Sequence, residues 1–146
     1  MDDASLAALR LSIEVGLVDA RRDLTLRQDE LAETQVALAE TTRSREGLTA
    51  ERARWNERLH SLVGHILSGR QMGLLRLRGE AIEAREGALA HRHAAMMAAV
   101  ASAAARQETA RHAVAEQLAR QRWFDAEARR GREIRERHAA RREDEE

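Results

Sequence analysis

Proline and cysteine are both absent from the chain, tyrosine is absent, and two Trp and one Phe are the only aromatics among 146 residues. Proline breaks helices because it lacks a backbone donor and clashes with the preceding turn, so its absence permits helices of any length. Without cysteine there are no disulfides and no thiolate metal sites. Three aromatics cannot fill the compact core expected of a globular domain this long. Lysine is missing too: all 25 basic residues are Arg and are matched by 25 acids, a formal net charge of zero. That balance argues against a nucleic-acid or membrane-surface protein as a whole. The weakly apolar run from Ala94 to Ala105 is short and mostly alanine, which excludes a bilayer span. The acidic start, Met1-Asp2-Asp3-Ala4-Ser5, does not read as a signal peptide. A cytoplasmic location is the expectation.

What remains is Ala, Leu, Glu and Arg with 34 % charged residues, the composition of a long helix or coiled coil. The apolar residues obey a seven-residue repeat. Leu17, Leu24, Leu31 and Leu38 hold one heptad position, resumed at Leu59 and Ile66. Leu6, Ile13, Ala20, Leu48, Trp55 and Leu62 hold its companion, and the two alternate in steps of three and four along one stripe. Arg27, Thr34, Thr41, Arg45 and Arg52 interrupt the stripe. Arg can lay its methylenes along a seam and keep its guanidinium wet. The interruptions are therefore tolerated imperfections, or a loose segment that changes pairing when a partner binds. In the second half Leu75, Ile82, Leu89, Met96, Ala103 and Ala110 recur every seven residues, with Val100 and Val114 beside them. Leu118, Trp123, Phe124 and Ile134 extend that face, with a phase shift expected near Trp123.

Four of the eight glycines, Gly64, Gly69, Gly73 and Gly79, cluster near the midpoint, where glycine caps or turns a helix readily. The pattern predicts an all-α fold: one long antiparallel two-helix coiled-coil hairpin with its bend near residues 64–73. Arm one covers about residues 4–67, the tip 64–79, arm two about 72–138, and an acidic tail 143–146. Residues 1–42 carry nine acids and four Arg, net −5, whereas residues 120–142 carry nine Arg and four acids, net +5. Laying these segments side by side favours the antiparallel register. Trp123 and Phe124 would then lie near Ala20 and Leu24, and Arg27 near Glu116 and Gln117. An antiparallel dimer of long helices meets the same electrostatic test.

No chemistry-bearing motif is present. There is no phosphate-binding glycine loop, no nucleophile elbow and no Cys nucleophile. His60/His65 and His91/His93 lack the spacing of three or four that a helical metal pair requires. The expectation is a chain without catalytic, cofactor-binding or metal site, so not an enzyme, that works by binding proteins. Two segments are candidates for that contact. The tip offers Leu62, Val63, Ile66, Leu67, Arg70, Met72, Leu74, Leu75, Leu77 and Arg78, with no acid between Glu57 and Glu80. It is a mini-core closing the hairpin, a partner-docking surface, or a segment that inserts at a membrane surface. The terminal end offers Arg129, Arg130, Arg132, Arg135 and Arg137, which would face the acidic first arm or a protein, with nucleic acid a weaker reading.

A Pro-free chain of this length with heptads throughout and midpoint glycines resembles the FliJ/YscO-type stalk proteins of flagellar and type III secretion export machines. The resemblance covers nearly the whole chain and rests on no sequence motif. It implies a hairpin similar to the coiled coil of a rotary ATPase γ subunit, inserted in a hexameric export ATPase and contacting the export gate. It also implies secretion chaperones as partners, although the absence of surface tyrosines departs from the family there. By the same resemblance the terminal arginines would sit in the ring and the Leu62–Arg78 tip would face the gate. A self-assembling coiled-coil scaffold or adaptor is the alternative.

Overall fold

A computed structural model describes residues 3–143 as two helices, α1 (Asp3–Ser61) and α2 (Gly69–Glu143), joined by a short turn. The fold is the expected all-α antiparallel hairpin, with no strand among the described residues. Of the acidic tail, residues 144–146 lie outside the described residues. Contacts divide the hairpin into two compact units. One joins residues 30–104 and contains the turn; the other joins residues up to 29 with those from 105 onward.

In the turn-containing unit the heptad stripe closes as the repeat dictates. Leu48, Trp55 and Ile82 are buried together, with Leu75 and Leu89 packed against them. Removing side chains of this size from water stabilises by about 2–3 kcal/mol each. Of the polar interruptions, Thr41 is buried, Thr34 and Arg52 are half-buried, and Arg45 is exposed. Thr41 can enter the seam because its hydroxyl donates to the Ala37 carbonyl at 2.9 Å. Thr34 does the same toward Glu30 and Leu31. Such back-bonding satisfies a hydroxyl that would otherwise be costly to bury.

The turn has two distinct devices. After Ser61, the amides of Leu62, Val63 and His65 donate to the carbonyls three residues back, at 3.1, 3.2 and 3.1 Å. Gly64 then adopts φ +84°, the left-handed conformation that ends helices and suits glycine. On the other side Ser68 caps α2. Its backbone N–H donates to Gln71 Oε1 at 2.8 Å, and the Gln71 N–H donates to Ser68 Oγ at 3.2 Å. This reciprocal S-x-x-Q box satisfies two amides that a helix start leaves orphaned.

In the other unit Leu17, Ala110 and Phe124 are buried. The register differs from the expectation. Gly16, not Arg27, faces Gln117, and Trp123 lines a cleft with Leu9, Ser12 and Ile13 rather than approaching Ala20. The reason lies in the glycines. Gly69, Gly73 and Gly79 are all helical, so the turn consumes only residues 62–68 and the reversal falls nearer the N-terminus than 64–73 implied. The phase shift near Trp123 is also absent. Phe124 continues the row of Leu75 and Ile82 and is buried, while Trp123 and Ile134 are exposed.

Candidate functional site at the turn

The tip residues separate into two sets. Leu62, Leu67 and Leu75 are half-buried, and Leu75 belongs to the core. These three close the hairpin. Met72, Leu74 and Leu77 stand on α2 more than half exposed, Val63 is 75 % exposed, and Ile66 is 101 % exposed, as open as a residue in an extended chain. The mini-core therefore accounts for the first set and leaves five apolar side chains in water.

The cations of the tip are likewise of two kinds. Arg78 is held: its guanidinium carbon lies 5.7 Å from the centroid of the Trp55 ring, and its Nη2 is 4.0 Å from Glu51. A cation over an indole face is attracted by the ring quadrupole. Arg76 pairs with Glu80 at 3.2 Å on its own helix. Arg58 and Arg70 are exposed, and neither makes an ion pair among the described residues. Arg70 stands in the first turn of α2, which contains no acid. The helix dipole favours an anion at that position, so Arg70 is placed against the interest of its own helix.

Between the helices an open cleft of about 1040 Å³ runs down from the turn. Leu59, Leu62, Val63, Leu67 and Met72 supply its apolar upper part; Arg52, Glu80 and Glu83 lie at its lower end. Below it the helices are tied by charge. Arg52 Nη1 donates to Glu86 Oε2 at 2.7 Å, and Arg85 Nη1 donates to Glu51 Oε2 at 3.0 Å. Arg76, read from the sequence as one of the tip's cations, lines the cleft, as do Asn56 and Leu59, which the sequence did not assign to the tip. Leu59 was legible only as a seam residue, and it is 38 % exposed along the cleft.

In the other unit, Arg129, Arg130, Arg132, Arg135 and Arg137 are all exposed. They do not share out onto the acids of α1 as the charge pattern implied. Arg130 pairs with Glu127 at 2.7 Å and Arg137 with Glu133 at 3.9 Å, both on α2 itself, and Arg120 pairs with Glu116 at 2.8 Å. Acids three or four residues away on the same helix are nearer than any cross-helix partner. Exposed pairs of this kind contribute about 0.3–0.5 kcal/mol each.

One apolar surface went unread in the sequence. Leu11, Val15 and Val18 are 61, 51 and 45 % exposed. Their spacing of four and three, offset from the main stripe, puts them on one outward face of α1. The signal was present as a second three-four alternation, hidden because the main leucine repeat absorbed the reading.

Among the described residues there is no cluster of His, Cys, Asp or Glu able to hold a metal ion, and no helix long and apolar enough to cross a membrane. Compared with protein-family models, with curated proteins and with solved structures, the chain matches none.

Proposed function

We propose that this protein is a non-enzymatic coiled-coil stalk of a type III secretion or flagellar export apparatus, working in the cytoplasm. The observation that carries the reading is a helical hairpin whose turn end leaves Val63, Ile66, Met72, Leu74 and Leu77 exposed beside arginines. Apolar surface rimmed by charge is where proteins dock. In this reading the end bearing Arg129, Arg130, Arg132, Arg135 and Arg137 seats in the hexameric ATPase, and the turn end reaches the export gate. Secretion chaperones are further candidate partners. A stiff insert in a six-fold ring meets its subunits unequally, and unequal contact biases which subunit closes on nucleotide. Stimulation of ATP hydrolysis by a co-purified export ATPase tests this. Loss of the stimulation on changing the five terminal arginines to Gln is expected, and failure to associate at low salt sinks the reading.

A second reading, a self-assembling scaffold, is favoured by the outward stripe of Leu11, Val15 and Val18 on α1. Mass from light scattering separates the two. A stalk gives the monomer mass, and a scaffold gives a multiple of it that falls when Val15 becomes Glu.

A further inference from the structure

The geometry points to a second activity of the turn end: docking on an anionic lipid surface. Val63 and Ile66 enter the headgroup layer, and Arg58 and Arg70 lie against the phosphates. Four observations converge on it. The two most exposed apolar side chains of the turn, Val63 and Ile66, stand within three residues of each other, and Ile66 lies outside both the cleft that runs down from the turn and the smaller one between Trp55 and Leu74. The flanking sequence is one-signed, with Arg58, Arg70, Arg76 and Arg78 and no acid from residue 58 to residue 79. Arg58 and Arg70 make no ion pair among the described residues, and Arg70 sits where its helix would prefer an acid. Finally, the amide of Val63, one of the two inserting residues, is already bonded within the turn, as are those of Leu62 and His65. Backbone groups so satisfied can leave water at low cost.

At Val63 and Ile66 the shape favours lipid, which leaves the exposed Met72, Leu74 and Leu77 of α2 for a protein partner. Ile66 stands fully exposed, so a protein would have to supply a matching pocket. A headgroup layer deforms around a projecting side chain, and apolar insertion with basic support is how peripheral segments hold a membrane without spanning it. The side cleft is the poorer seat for an acidic protein, because Glu80 and Glu83 stand at its lower end.

The test is co-sedimentation of the full chain with vesicles of about one part phosphatidylserine to three of phosphatidylcholine at low salt. The chain is expected to pellet with these and not with pure phosphatidylcholine. At roughly fivefold per arginine, Arg58→Gln with Arg70→Gln weakens binding by about 25-fold. Val63→Ser with Ile66→Ser weakens it by about a hundredfold or more. All four side chains are exposed, so circular dichroism should show unchanged helicity in both variants. Arg21→Gln with Arg43→Gln, both exposed on α1 and at least fifteen residues before Arg58 in sequence, leaves binding unchanged. Absence of pelleting, equal pelleting with pure phosphatidylcholine, or equal loss in the Arg21/Arg43 variant overturns the proposal. Retention on a poly-glutamate resin without vesicle binding does the same and assigns the tip to an acidic protein. No ATPase enters the experiment, so its outcome is separate from that of the stalk reading.

Discussion

Gly16 and Gln117 face each other so closely across the two helices that a Cβ on residue 16 would lie 3.2 Å from the Gln117 amide oxygen. The neighbour is the far end of a flexible side chain, able to yield a few tenths of an ångström. Gly16→Ala therefore gains part of the ~1 kcal/mol that alanine holds over glycine inside a helix. Gly47→Ala and Gly87→Ala, with nothing within 4 Å of the new methyl, gain about all of it. Urea denaturation of the three variants should rank Gly16→Ala last. A larger gain at Gly16 than at Gly87 contradicts the close approach.

Gly64, in the turn itself, gives the opposite result. A Cβ on Gly64 has open space, yet φ is +84°, so Gly64→Ala loses ~1 kcal/mol to backbone strain alone. Gly64→Asn recovers part of it, since asparagine tolerates the left-handed region. Gly69→Ala, also with open space and with no positive φ, is neutral or stabilising. Equal effects at Gly64 and Gly69, read from thermal melts, would mean that the reversal is not where it is described.

Ile82, 2 % exposed against Leu48 and Trp55, should lose about 2–5 kcal/mol on change to Ala. Leu26, 61 % exposed, should lose less than about 0.5 kcal/mol. In the other unit Phe124→Ala should cost about 3–5 kcal/mol and Trp123→Ala much less, since one ring is buried and the other is 64 % exposed. Calorimetric melts decide all four.

Arg52 bridges Glu83 at 3.8 Å and Glu86 at 2.7 Å, with roughly a third of its side chain open to solvent. A double-mutant cycle on Arg52→Ala and Glu86→Ala should give a coupling of about 0.5–1 kcal/mol that shrinks at high salt. A coupling that survives molar salt would mean that the pair is drier than its exposure indicates.

The repeat made the helix content and the seam legible, because a seven-residue period of Leu and Ile has only one good way to hide itself. Leu17, Leu48, Trp55 and Ile82 are buried for that reason. Register was not legible. A glycine reads the same whether it turns the chain, as Gly64 does, or rides inside a helix, as Gly73 and Gly79 do. Reading helical glycines as turn residues helped misplace the register, and opposite Gln117 stands Gly16 where Arg27 was expected, about three helical turns away. The Ser68–Gln71 box was the better marker, since a reciprocal cap dates the first turn of a helix to the residue. At the candidate site, which residues cluster could be read from the chain. Which of them stay wet was legible only in part: Leu75 lies on the seven-residue row and is half-buried, but Ile66, read onto the row of Leu59, is fully exposed because α1 ends at Ser61.

With no tyrosine in the chain, its ultraviolet emission comes from two indoles in opposite surroundings. Trp55 is shut in beneath the Arg78 guanidinium, and Trp123 is open to water in the other unit. Each unit thus contains its own fluorophore, and replacing either one by Phe turns the protein into a reporter for the unit that keeps its indole. Loosening of the turn-containing unit would register as a red shift from Trp55, with the spectrum of Trp123 as an internal reference that has little further to move.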